Sequence, residues 1–410
     1  MKNNGGIITV HVRIVKLLKE VNMPRTSYYK TIIPLILALH QPNAPEWSAK
    51  LERTWQIACQ VHGIASYLQP AMREAEWLPE SLKVWAEAQH AANSQRIARL
   101  HRDLQTILAL FAAHELPLMP MKGALLTAQA YPDPGLRPMA DLDLLIHPAD
   151  FERARDLLGQ LGYQPTIHHW KHTEFIQPDN QTVVDATCEH PDNPRKLELH
   201  LYCRENFGGP IVDITDLMWG QAHLSTWLGQ PAWLPSTATL ALHLLVHASY
   251  HFWQGRGRLI QLLDLEQLYQ HEPEPFENPQ KLLTLLHSIE ARYTYPSLLL
   301  WHKYAPSAVN YALMISQRAR VSPQFHHWAD SLDLINSSHL NPNASGLYLI
   351  KALRFSEGRP REVSQALRFA LLPHLDEILL DHPKLAQSRW PWLAYGLLPL
   401  DWLKRLRRAF

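Results

Sequence analysis

"RPMADLDLLI", residues 137–146, decides how the centre of this chain folds. Side chains of a strand alternate between its two faces, so Asp141 and Asp143 point one way while Leu142, Leu144 and Ile146 point the other. Two carboxylates ~7 Å apart along a strand repel each other unless a cation lies between them. A strand of this design has an apolar wall and an acidic working face. Oxygen ligands suit magnesium. Paired ions ~3.5–4 Å apart clamp the attacking and leaving oxygens of a phosphoryl or nucleotidyl displacement. The plainer reading is an aspartate capping the turn before an ordinary strand, and the neighbouring segments decide between the two.

"KLELHLYC" (196–203) repeats the design, with Glu198 and His200 on one face and Leu197, Leu199 and Leu201 on the other. Glu198 is thereby a third carboxylate, and Asp185 in "TVVDATCEH" (182–190) is its rival. "MPMKGALL" (119–126) places Gly123 at a strand-to-helix junction, where free N–H groups and the helix dipole favour a phosphate. Lys122 brings a mobile positive charge to the same place, and Arg137 can fork onto phosphate oxygens. Singly these read as a solvated lysine, a packing glycine and a surface arginine. Together with an acidic strand they describe a triphosphate pocket.

The chain has 410 residues, 46% of them hydrophobic and 19% charged, which is globular composition with room for two or three domains. Lys plus Arg (39) nearly balances Asp plus Glu (38), so no global basic field marks a long nucleic-acid track. The scattered Cys59, Cys188 and Cys203 form no CxxC pair, which argues against a disulfide framework and fits a reducing cytoplasm. The apolar run "TIIPLILAL" (31–39) is too short to span a bilayer, the first residues lack a signal-peptide cleavage pattern, and Met23 is an alternative start. Residues 1–44 read as a poorly defined arm. Residues 45–116 read as helical, with a long amphipathic helix over 80–116 that carries Leu100, Leu104, Ile107, Leu108 and Phe111 on one stripe. Residues 117–232 alternate strand, helix, strand and helix, then several strands: "YQPTI", "HTEFIQP", "TVVDAT" and "KLELHLYC". Residues 233–410 return to helix, starting at the Ser236 cap of "STATLALHLLVHASYHFW" (236–253). The expected class is α+β, a small mixed-sheet core flanked by helical regions.

Lys122-Gly123, Tyr131, Arg137, Asp141-Leu-Asp143, the helix running to "LGY", and "LELH" together resemble the uncharacterised bacterial nucleotidyltransferases. These are part of the polymerase-β-type superfamily and related to abortive-infection toxin nucleotidyltransferases. The resemblance runs from about residue 50 to 270 and includes "LALHLLVH" and "LLDL". It implies that Asp141, Asp143 and Glu198 bind two catalytic Mg2+ ions, Mn2+ being an alternative, with Glu198 as base for the acceptor hydroxyl. It implies that Lys122, Gly123 and Arg137 hold the phosphates of a nucleoside triphosphate, ATP by default. The wider superfamily carries Gly-Ser at the strand–helix turn. Lys122-Gly123 stands there in this chain, so phosphate contacts lean on lysine charge.

His243, His247 and His251 recur at four-residue steps and form one helical stripe. They pack a helix against the core, touch a base or acceptor, or bridge zinc. His168, His169 and His172 are candidates for an acceptor channel. The basic amphipathic tail "LDWLKRLRRAF" (400–410) suits an anionic membrane surface or a partner, or else packs on its own domain. The reaction expected is transfer of a nucleoside monophosphate to an acceptor with release of pyrophosphate. The acceptor stays open between a small molecule, a peptide or protein, a polysaccharide precursor and an RNA end. Two alternatives stand beside it: a non-catalytic nucleotide sensor or scaffold of the same fold, and a zinc hydrolase built on the histidine stripe.

Overall fold

Strand-forming and helix-forming stretches separate cleanly along this chain. The computed structural model describes Ile36 and residues 46–184, 189–341, 348–356, 358–373, 375, 378–379, 385 and 390–400. The N-terminal arm, Asp185 and the basic tail from Asp401 onward lie outside the described residues.

Helix α1 (Ala49–His62) opens on Ser48, whose hydroxyl accepts the Leu51 N–H, and closes on Gly63 at φ 67°. Helix α2 (Gln69–Glu74) is short, and α3 (Glu80–Ala113) runs 34 residues. The α3 stripe of Leu100, Leu104, Ile107, Leu108 and Phe111 is buried, as its periodicity requires. Strand β1 (Met119–Pro120), helix α4 (Lys122–Gln129), strand β2 (Asp141–Leu145) and helix α5 (Phe151–Gln160) follow, and Gly162 at φ 83° ends the α5 segment. Strands β3 (Gln164–His168), β4 (His172–Ile176) and β5 (Lys196–His200) complete a five-stranded sheet in the order β1-β2-β5-β4-β3. β2 and β5 are parallel neighbours, and the other three pairings are antiparallel. Leu142, Leu144, Leu197, Leu199 and Phe175 are buried in the core that α3 and α5 share. The class is α+β with a small mixed sheet between helical regions.

One expected strand, over 182–187, is not a strand in its described part. Residues 182–184 of "TVVDAT" have no regular structure: Val184 is 57% exposed and its N–H donates to Asn193 Oδ1 at 3.0 Å. β-branched side chains favour a strand only where a neighbouring strand accepts the ladder bonds, and here a side chain has taken that place. Two hairpins replace the expected continuation, β6 (Arg204–Asn206) with β7 (Ile211–Asp213) and β8 (His223–Trp227) with β9 (Gln230–Leu234). Helix α6 (Thr215–Gly220) separates them. The Trp233 N–H donates to Leu118 O at 3.0 Å and ties β9 to the start of β1.

Helix α7 (Thr237–Trp253) begins at Ser236, whose side chain accepts the Thr239 N–H, and α8 (Leu259–His271) follows it. Further helices run to Leu371. Among the described residues no helix is long and apolar enough to cross a membrane.

Candidate active site

The parallel pairing of β2 with β5 sets Asp141 opposite Lys196 and Asp143 opposite Glu198. The antiparallel pairing of β4 with β5 sets Glu174 opposite Glu198 and His172 opposite His200. Residues opposite each other share a face, so one side of the sheet carries Asp141, Asp143, Glu198, His200, His172, Glu174 and Lys196. The two aspartates and Glu198 come together as their spacing implies.

Asp143 is the buried hub. Its Oδ1 accepts from Lys122 Nζ at 2.7 Å and lies 2.9 Å from His200 Nε2. Burial opposes its charge, but Lys122 and His200 more than offset this and hold its carboxyl well below the usual range. His200 Nε2 also lies 3.2 Å from Glu198 Oε2. Burial likewise works against Glu198, and the facing imidazoles of His172 and His200 pull it down to about 2. Asp141 behaves differently. It has no hydrogen-bond or ion-pair partner among the described residues. Burial first, then the charges of Asp143 and Glu198, push it up to about 7. Three crowded carboxylates, one of them already reluctant to ionise, are a donor set short of positive charge. They fit a divalent cation.

Lys122 stands at the first position of α4 with φ 47°, a left-handed conformation rare for a side-chain-bearing residue. Met121, just before it, donates its N–H to Asp143 O at 3.0 Å, so backbone and side chain both face β2. Gly123 has a packing reason to be glycine: a Cβ there would collide with Arg137 Nη1 and Met139 Sδ. Arg137 forks onto a carboxylate in this structure. Its Nε and Nη2 donate to the two oxygens of Asp264, each at 2.7 Å, and the Tyr131 hydroxyl donates to the same group at 2.8 Å. "LLDL" in α8 supplies that aspartate.

A second charged cluster lies beside the first. Glu205 on β6 accepts from Lys171 Nζ at 2.8 Å and pairs with His247 Nδ1 at 2.9 Å. The histidine stripe therefore joins α7 to the β6–β7 hairpin. Burial and then the Lys122 charge lower the pKa of His243 and His247, against the opposing pull of Glu205. Among the described residues the three-donor group with metal-ligand spacing lies elsewhere, at His172, Glu198 and His200, whose ligand atoms fall within 4.8 Å of one another. His169 stacks on His172 at 5.1 Å between ring centroids, while His168 turns to Thr173.

Sequence reasoning missed Lys171, Glu205, Asp264 and, above all, Arg96. Arg96 is 1% exposed in the middle of α3. Its guanidinium donates to Met139 O (2.9 Å) and Ala140 O (2.8 Å) ahead of β2, and to Asn193 O and Pro194 O (both 2.9 Å) ahead of β5. The signal was present: Arg96 sits four residues before Leu100 on the buried stripe. A cation there needs acceptors brought to it.

Comparison with known proteins follows this geometry. A structure of an antigenic nucleotidyltransferase-like protein from Paracoccidioides brasiliensis is similar at 16% identity. It covers 56% of this chain and 96% of that one, with a TM-score of 0.29. No curated protein sequence matches. The pattern of the uncharacterised nucleotidyltransferases matches residues 49–302, from α1 through every strand of the sheet and both hairpins to beyond α8. More than half of the 410 residues fall under that pattern, and by it the chain belongs to the uncharacterised nucleotidyltransferase family.

Proposed function

We propose that this protein is a magnesium-dependent nucleotidyltransferase that moves a nucleoside monophosphate from a nucleoside triphosphate to an acceptor and releases pyrophosphate. The observation that carries the reading is the parallel register that sets Asp143 beside Glu198, with Asp141 one step along the same face. Asp141, Asp143 and Glu198 would hold the magnesium. When bound, magnesium supplies charge stabilisation for the attacking and leaving oxygens. Lys122, whose ammonium is bonded to Asp143, would turn to the β- and γ-phosphates and stabilise the departing pyrophosphate. Arg137 keeps Gly123 and the start of α4 in place through Asp264. Glu198 suits a ligand better than a general base, because a carboxylate held at about 2 is a poor proton acceptor near neutral pH. The half-buried imidazoles of His169 and His172 and the His243–His247–His251 stripe line the ground next to the carboxylates, where the acceptor is expected.

The test incubates the full chain with magnesium, each α-labelled nucleoside triphosphate in turn, and a fractionated lysate. Label moves into one fraction with the wild type, and falls by at least about a hundredfold in Asp141→Asn and Asp143→Asn. Nucleotide binding without transfer in any fraction would instead make the protein a sensor or scaffold.

A further inference from the structure

We infer that His172 Nδ1, His200 Nε2 and Glu198 Oε2 form a histidine-bearing transition-metal site of their own. Asp141, Asp143 and the other Glu198 oxygen are left to the all-oxygen magnesium. The donor set is independent of the nucleotidyl-transfer reading; only its catalytic use rests on that reading.

The hydrogen-bond count is the first argument. A neutral imidazole carries one N–H, and at most one proton sits on Nε2. Yet His200 Nε2 faces two carboxylate oxygens, Asp143 Oδ1 at 2.9 Å and Glu198 Oε2 at 3.2 Å. One N–H cannot serve both fully. On the other side of Glu198, His172 Nδ1 lies 3.8 Å from the same Oε2, too far for a hydrogen bond, and this buried nitrogen has no hydrogen-bond partner among the described residues. A single ion between His172, His200 and Glu198 would satisfy all three donor atoms.

Spacing is the second argument. An ion ~2.1 Å from each of four tetrahedral ligands holds neighbouring ligand atoms ~3.4 Å apart. The separations of His200 Nε2 and His172 Nδ1 from Glu198 Oε2, 3.2 and 3.8 Å, bracket that value before any adjustment. Lys122 does not block the position. It is bonded to Asp143 Oδ1, which is not one of the three donors.

Chemistry selects the ion. Two imidazoles among the donors disfavour magnesium, which prefers oxygen, and favour first-row transition ions such as Mn2+, Co2+ or Zn2+. Backbone pairing fixes the two histidines against each other, because His172 and His200 are register partners on β4 and β5. The site is thus built on paired strands and does not depend on loops.

The test loads chelator-treated full chain with Co2+ alone and follows the visible absorption. The expected result is about one ion per chain, with the intense bands of a four-coordinate, nitrogen-bearing site. Excess Mg2+ leaves these bands in place. His172→Gln and His200→Gln each weaken Co2+ binding at least about tenfold and shift the bands, whereas Asp141→Asn leaves them unchanged. Should either histidine variant fail to fold, pulsed EPR of the Mn2+-loaded wild type decides, since a ligating imidazole gives a nitrogen hyperfine coupling. A Co2+ spectrum of all-oxygen character, or Mn2+ without nitrogen coupling, overturns the inference. The two readings fail separately: label transfer with an all-oxygen Co2+ spectrum sinks only the histidine site. A nitrogen-ligated Co2+ site without label transfer sinks only the nucleotidyltransferase reaction.

Discussion

Lys122 adopts a backbone conformation that costs an L-residue roughly 1 kcal/mol or more, and it does so at φ 47° where a glycine would be at ease. Its side chain accounts for the choice. From that position Nζ reaches the buried Asp143 carboxylate, and burial is outweighed by Asp143 and Glu198 in holding the ammonium charged. Removing one partner of a buried pair leaves an uncompensated charge, which costs about 3–5 kcal/mol. Lys122→Met is therefore expected to lower the urea midpoint by the equivalent of about 3 kcal/mol, since His200 still touches Asp143. An unchanged midpoint would show that Asp143 does not depend on the lysine. Much of this residue-scale chemistry was legible. The period-two alternation of "DLDLL" and "KLELH" put the carboxylates on one face, and their adjacency needed only a parallel pairing of the two strands. The partners of Lys122 and Arg137 were not legible, because pairs such as Arg137 with Asp264 lie 127 residues apart and leave no local pattern.

At the scale of elements, α3 does more than cover the sheet. Arg96 gathers carbonyls from the two segments that lead into β2 and β5, and Asn93 adds a hydrogen bond to Gly135 O at 2.7 Å. Only the planar guanidinium fork reaches several fixed acceptors at once; an ammonium is a point donor. Arg96→Lys should cost at least about 3 kcal/mol through stranded carbonyls, read by denaturant unfolding. It should also reduce label transfer without touching any group in contact with nucleotide. Retained stability would mean that α3 merely packs against these segments. The stripe of α3 was read correctly from periodicity, but periodicity counts an arginine as an interruption of the stripe. The same limit explains residues 182–184: β-branched content suggested a strand, whereas the Val184 N–H goes to the Asn193 side chain, a partner that a single segment does not encode.

For the whole molecule, two buried links tie α8 to the rest of the chain, one to the core and one to α1. The Arg137–Asp264 pair joins the segment before β2 to α8. Arg137→Met and Asp264→Leu should each cost about 3–5 kcal/mol. The double variant should recover part of that, short of the wild type because the Tyr131 hydroxyl loses its acceptor; a fully additive loss in the cycle would show that the two do not act as a pair. His62, fully buried at the end of α1, accepts the Leu259 N–H of α8 at 3.3 Å. Burial, then Arg258, lowers its pKa from 6.5 to about 3. Between those values the unfolded chain binds the extra proton and the folded chain does not. Stability is thus expected to fall as pH drops below 6.5, by at most about 1.4 kcal/mol per pH unit for this one group. His62→Gln should flatten the acid limb of a stability–pH curve by that amount, and an unaltered limb would assign the loss to the other buried histidines. A last consequence concerns how such a chain is assembled. The acceptors of Arg96 lie between 43 and 98 residues farther along the sequence, on two segments that must arrive side by side. Were β5 to slip by one residue against β2, Glu198 and His200 would turn to the apolar side, and the carbonyls of Asn193 and Pro194 would move off the guanidinium. Arg96 then would sit buried and unmet, a penalty large enough to reopen the structure. Arg96 thereby favours the native alignment of the two strands over one shifted by a residue.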